Sequence, residues 1–279
     1  MDAKKANYNW PLTVLFTIIS IAWICPLLLV LINSFKKKAY ISKRPFQLPT
    51  GKMFVSLDNY VNGIKKIDFF HAFGYSLFIT IFSVLFIILC TSMCAWYITR
   101  VKTKFTSTFY YFCLFSMIVP FQMVMFTLSK IANMLHLSNP IGIIFVYLGF
   151  GAGLSVFMFC GFIKSIPLEI EEAAMIDGCT PINTFFQVVL PVLKPTCVTV
   201  AILQAMWIWN DYLLPYLVLD IKKYKTIPIA IQYLKGGYGS IDMGAMMAML
   251  VLAIIPIVVF YLASQKYIIE GVVAGAVKG

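Results

Sequence analysis

Six stretches of the chain, residues 11–35, 69–99, 105–129, 141–163, 195–219 and 243–265, are apolar and almost free of charge, and polar segments separate them. Each is long enough to cross the hydrocarbon core of a bilayer as a helix, which takes about 20 residues. Lipid offers no water to unpaired backbone N–H and C=O groups, so helices are the element these runs predict. The chain therefore reads as an all-α membrane protein with six transmembrane helices. Residues 1–68 hold the first helix and a long polar loop, and residues 69–279 form a core of five helices.

Within the spans a few positions break the apolar pattern. Pro120 followed by Gln122 predicts a kink with a polar side chain beside it. The fourth span carries Gly149, Gly151, Ala152, Gly153, Ser155 and Gly161, small residues that let helices approach closely. Asp211, the one acidic residue in the spans, follows Gln204, Trp207, Trp209 and Asn210. A carboxylate at mid-membrane costs about 2.5 to 3.5 kcal/mol on insertion scales, so Asp211 should face protein or water, or lie near the outer headgroups. In the loop 36–68, Leu57, Tyr60, Val61 and Ile64 fit a short amphipathic helix on the membrane surface. The tail, 266–279, is too glycine-rich to form a stable helix on its own.

One polar segment has structure of its own. Residues 165–194 hold Glu169, Glu171, Glu172 and Asp177, four of the chain's eleven acidic residues. Ser165 is a candidate helix cap, Pro167 suits a first turn, and the glutamates complement the positive end of the helix dipole. Gly178 supplies a stop. Thr180 and Pro181 open a second helix, in which Ile182, Phe185, Phe186 and Val189 form one apolar stripe that Pro191 is expected to end. In the first helix Ile170, Ala173, Ala174 and Asp177 share a face, and the two alanines allow a foreign backbone close. The segment reads as a small helix-turn-helix presented to a partner.

Composition agrees with the spans: 61% of residues are hydrophobic and 12% charged, against about 25% charged in soluble domains. A net charge of +11 would point to nucleic acid in a soluble protein, but here the basic residues sit in short loops beside apolar segments. The seven cysteines include no C-x-x-C pair, and His71 and His136 lie far apart, so neither a disulfide nor a metal site is expected. There is no G-x-x-x-x-G-K-[ST] nucleotide loop, no nucleophile elbow and no His/Glu metal spacing. An even number of spans puts both termini and the 165–194 loop on one side, with Lys4, Lys5, Arg100, Lys102, Lys104, Lys164, Lys194, Lys266 and Lys278. The greater share of the 22 basic residues lies opposite, mostly in the loop 36–68, so a literal positive-inside count places the termini outside.

Glu172-Ala173-Ala174, three residues, Gly178, nine residues, Val188, one residue and Leu190-Pro191 resemble the E-A-A-x3-G-x9-I-x-L-P signature of membrane subunits of binding-protein-dependent ABC importers, with Val188 in place of Ile. The run 165–178, Trp209-Asn210-Asp211-Tyr212, Thr226-Ile227-Pro228 and the tail 271–279 resemble its carbohydrate branch, the MalG-like and multiple-sugar permeases. The resemblance covers about residues 70–279. It implies a type I ABC importer permease fold in the bacterial plasma membrane, with both termini and the E-A-A loop cytoplasmic, against the charge count.

It also implies that Glu171, Glu172, Ala173, Ala174, Asp177, Gly178, Leu190 and Pro191 couple the chain to a cytoplasmic ATPase. The last external loop, Gly236, Gly237, Tyr238 and Gly239, would meet a sugar-binding protein, and the tail 274–279 would also reach the ATPase. Gln122, Gln204, Trp207, Trp209, Asn210 and Asp211 are candidates for the sugar path. The partners implied are a second permease, two ATPase subunits and an extracytoplasmic binding protein; no cofactor is expected on this chain, ATP and Mg being held by the ATPase. An importer of the same fold for glycerol phosphate, a polyamine or a peptide is one alternative. An ion-coupled secondary transporter would call for inverted repeats and several buried ionisable groups, and a non-transporting scaffold is a third possibility.

Overall fold

The structure is a computed structural model that describes residues 10–235 and 241–276, with side chains through Lys266. Its helices are α1 (Trp10–Ser34), α2 (Lys38–Lys43), α3 (Asp58–Ile67), α4 (Phe69–Arg100), α5 (Lys104–Ile118), α6 (Phe121–Met134) and α7 (Gly142–Ile163). They continue with α8 (Leu168–Ile176), α9 (Pro181–Thr184), α10 (Leu190–Val192), α11 (Lys194–Asn210), α12 (Leu213–Val218), α13 (Ile227–Gln232) and α14 (Met243–Ala276). Among the described residues extended pairing is limited to two isolated bridges, Lys36 with Phe54 and Lys235 with Ile241.

Among the described residues four helices are long and apolar enough to cross a membrane by themselves: Trp10–Ser34, Phe69–Arg100, Gly142–Ile163 and Met243–Lys266. The other two predicted spans are interrupted. In place of a kinked 105–129 helix, α5 and α6 meet at 109°. Proline drives the preceding residue out of the helical region, and Val119 is extended at φ −71, ψ 115, with Pro120 opening the next helix. The predicted span 195–219 is likewise broken, at Asp211, whose backbone is extended at ψ 122. The tail, not expected to form a helix on its own, is helical through Ala276 as an extension of α14. Lengthening a formed helix avoids the unfavourable nucleation that an isolated glycine-rich segment would face.

The chain separates into two compact units, Met1–Phe69 with Ile231–Ile255, and Phe70–Ala230 with Pro256–Gly279. The first is anchored by Lys36, whose side chain is fully buried and donates to Asn33 Oδ1 at 3.0 Å and to the carbonyls of Arg44 and Pro45 at 2.9 and 3.1 Å. The amphipathic pattern around Tyr60 becomes α3, and Asn59 Nδ2 ties it to the carbonyls of Ser34 and Lys36 at 2.7 and 2.9 Å.

In the second unit one core cluster gathers Ile79, Ile87, Ile143, Tyr147, Ile208 and Leu214. Another gathers Ala95, Phe159, Ile163, Phe185, Val189 and Leu193. Close approach of α5 to α7 depends on Gly153, where an added Cβ would lie 2.6 Å from the Cys113 carbonyl oxygen. At the ideal rise of about 1.5 Å per residue, α4 is about 48 Å long against a hydrocarbon core of about 30 Å. Arg100, at its end, meets the chain where the 165–194 segment begins, bonding to the Ile166 carbonyl.

Candidate functional site

The helix-turn-helix forms at residues 168–192. Its start differs from expectation: Pro167 stands at the capping position with no side-chain cap, and Ser165 Oγ instead donates back to the Phe162 carbonyl at 2.7 Å. The stop is as expected. Gly178 takes φ +89, the Cys179 N–H reaches the Ala174 carbonyl at 3.0 Å, and the Gly178 N–H reaches that of Met175 at 3.1 Å. These two bonds make a Schellman ending, which satisfies carbonyls the helix would leave open.

Thr180 caps the next turn, accepting from the Asn183 N–H at 3.3 Å, with Pro181 at its start. The apolar helix expected to end at Pro191 forms and ends one residue later, but it is not regular. Phe185–Val189 is a π-helical turn, and the chain stays helical through Pro191 to Val192 before α11 leaves at 75°. Pro191 has no N–H to give the preceding turn, and widening that turn lets the chain pass it without a break. Of the predicted stripe, Phe185 and Val189 are buried, whereas Ile182 and Phe186 are exposed.

On α8, Glu171 is the one buried residue, at 2% exposure. Its carboxylate accepts from Trp96 Nε1 at 2.9 Å and from Arg100 Nε and Nη2 at 3.0 and 2.6 Å. The candidate coupling residues thus divide: Glu171 turns inward to α4, while Glu172, Ala173, Asp177 and Gly178 are exposed and Ala174 is half-buried. Leu168, Ile170, Met175 and Ile176 add exposed apolar surface to the same short helix. Leu190 is half-buried and Pro191 exposed. Sequence reading missed Trp96 and Arg100; their signal was a spacing of four residues that puts an indole and a guanidinium on one face at the end of a long span.

The candidate path residues fall into separate environments. Asp211 Oδ1 accepts from the N–H groups of Leu213 and Leu214 at 3.0 and 3.3 Å and so starts α12, while Oδ2 accepts from the Tyr147 hydroxyl at 3.1 Å. The Trp207 ring meets Tyr147 edge-on at 5.5 Å, which brings Trp207 and Asp211 to one aromatic residue that the sequence did not single out. Gln204 is buried and holds α11 to α7, donating to the Gly151 carbonyl at 3.3 Å and to Ser155 Oγ at 3.1 Å.

Trp209 packs edge-on against Phe73 at 5.8 Å. It also lines an apolar cavity of about 330 Å³ with Thr80, Ala205, Pro256 and Phe260. Asn210 is exposed and bonds to the Met206 carbonyl at 2.7 Å. Gln122 is exposed in the first turn of α6. Gly236, Gly237, Tyr238 and Gly239 lie outside the described residues, as do the side chains of the tail.

Over residues 87–273 the chain matches the family described as "Binding-protein-dependent transport system inner membrane component". It is 40% identical to the "Probable starch degradation products transport system permease protein AmyC" of Thermoanaerobacterium thermosulfurigenes, over 96% of each chain. It is 35% identical to the "Multiple sugar-binding transport system permease protein MsmG" of Streptococcus mutans, over 99% of each. The "Melibiose/raffinose/stachyose import permease protein MelC" of Bacillus subtilis is 32% identical over the full length of both. Among solved structures, a chain of a bacterial ABC transporter involved in the import of the acidic polysaccharide alginate superposes with a TM-score of 0.79. That likeness covers 96% of this chain and 99% of that one at 20% sequence identity, a likeness of fold.

Proposed function

Because the chain belongs to the family of binding-protein-dependent transport system inner membrane components, we propose that it is the membrane-spanning permease subunit of an ATP-driven sugar importer. The relatives named for starch degradation products, multiple sugars, and melibiose, raffinose and stachyose support oligosaccharides as the cargo. The observation that carries the reading is α8. Glu171 is its one buried side chain, and it otherwise offers a short apolar and acidic surface, ended sharply at Gly178. A partner that grips this surface is a cytoplasmic ATPase, which holds the ATP and Mg.

The 165–194 loop and both termini are therefore cytoplasmic, and the basic excess of the loop 36–68 lies outside. The subunit supplies half of the path. Trp207, Asn210 and Asp211 retain exposure to water or to a second permease, whereas the cavity beside Trp209 is too apolar to hydrate a sugar. Loaded binding protein and ATP select the outward-open state of the pair, and hydrolysis returns it, because each ligand favours the state it binds more tightly.

Uptake of labelled oligosaccharide into vesicles holding the complete complex is the test. Uptake that requires ATP and continues after ion gradients are collapsed is the expected result. Uptake that stops on collapse of the gradients with ATP still present overturns the reading.

A further inference from the structure

Docking of α8 on a motor produces transport only if its displacement is passed to the membrane helices, and an exposed helix between two loops can absorb a push by bending at its ends. The bonds around Glu171 oppose that. Arg100 Nη2 bonds to Glu171 and also to the Ile166 carbonyl at 3.1 Å, so one guanidinium holds both α8 and the stretch of chain leading into it. One turn back on α4, Trp96 donates to the same carboxylate, and its ring packs on Phe185 at 5.5 Å, in the π-helical turn beyond the Gly178 stop. Two side chains of α4 thus hold the entry, the body and the exit of the docking segment.

Apolar packing alone would tolerate sliding. A half-buried guanidinium fork and an indole N–H on one buried carboxylate do not, since their directions are set and loss of the guanidinium strands the Glu171 charge out of water.

Resting on the reading of α8 as the ATPase-docking helix, we propose that Arg100 and Trp96 are positioning residues that join α8 rigidly to α4, through Glu171, so that motor-driven movement of the docking helix becomes movement of that span. Arg100, a residue of the membrane helix, then belongs to the coupling machinery, and Glu171 serves it from within the chain instead of contacting the motor.

The test uses the whole transporter in proteoliposomes with the double variant Arg100→Met/Glu171→Leu, which removes both charges and keeps the volume, so that no unpaired charge is left to unfold the site. The ATPase is expected to co-purify as before and to hydrolyse ATP, while sugar imported per ATP falls about tenfold. Spin labels at Tyr97 on α4 and Ile176 on α8, both exposed, should report a distance distribution broader than in the unsubstituted chain. Arg100→Lys keeps the charge and loses the fork, and should lie between the two; it carries the test if the double variant does not assemble.

Unchanged import per ATP, or a distance distribution as narrow as the original, overturns the proposal. Loss of ATPase binding in an inserted variant overturns it too, since the pair would then act on docking itself. Failure of the unsubstituted chain to bind any ATPase is a different result, and it removes the docking reading.

Discussion

The hydroxyl of Tyr147 on α7 donates to one carboxylate oxygen of Asp211 at 3.1 Å, while the other oxygen of Asp211 accepts the first two free N–H groups of α12. An acidic residue among apolar helices is thereby accounted for by three hydrogen bonds, one across helices and two within its own turn. Asp211→Ala removes the cap and leaves the fully buried Tyr147 hydroxyl without its partner. It should lower stability by about 2 kcal/mol, read as a reduced unfolding temperature in detergent. Asp211→Asn keeps an acceptor for the cap and should lose less than half as much. Equal losses for both variants would show that the charge, not the cap, sets the stability of this break.

The glycines of α7 should respond unequally. A Cβ at Gly153 would meet the Cys113 carbonyl at 2.6 Å and Ser116 Oγ at 2.7 Å, whereas Gly149 and Gly161 have nothing within 4 Å. Gly153→Ala is expected to destabilise by about 1 to 3 kcal/mol through overpacking. Gly149→Ala and Gly161→Ala should be neutral, or gain up to about 1 kcal/mol of helix propensity. Thermal unfolding of the three purified variants checks the order.

At Gly178 an added side chain meets open space, so its constraint is the backbone at φ +89 alone. Gly178→Val should strain the Schellman ending by at least about 1 kcal/mol and misdirect α9 relative to α8, while Gly178→Asn, which accepts the left-handed region, should be tolerated. Co-purification of the proposed ATPase partner with the two variants separates them. Equal recovery with Val and Asn would mean that the turn angle does not govern docking.

Outside the membrane, Asp242 answers to pH. Partial burial pushes its carboxyl up, but bonds from Lys66 and the Ala245 N–H outweigh burial and hold its pKa below the ordinary 3.8. A lowered carboxylate pKa stabilises the fold above the unfolded-state value, and the contribution disappears as pH falls through the folded-state one. Both partners are partly exposed, so the effect is about a few tenths of a kcal/mol. Asp242→Asn should be slightly less stable than the parent at pH 7, and the two should converge as unfolding is followed to pH values below the lowered pKa of the folded state.

Hydrophobic periodicity and length alone determined that this chain lives in a membrane as helices, because a run of about 20 uncharged residues has no other stable state there. Local chemistry determined the helix-turn-helix as well: Gly178 and Thr180-Pro181 act within a few residues of backbone, so their effects are legible without the fold. The tertiary structure decided the matters that depend on residues distant in sequence. The severity of the break at Pro120, the passage of the helix through Pro191 by a widened turn, and the inward turn of Glu171 toward Arg100, 71 positions away, are set by which surfaces meet. The same holds for Asp211, whose odd place in an apolar run was plain from the sequence, but whose partner, Tyr147, is supplied by another helix. A single chain records the propensity of each segment; the energy of a buried hydrogen bond is decided only when both ends are brought to the same place.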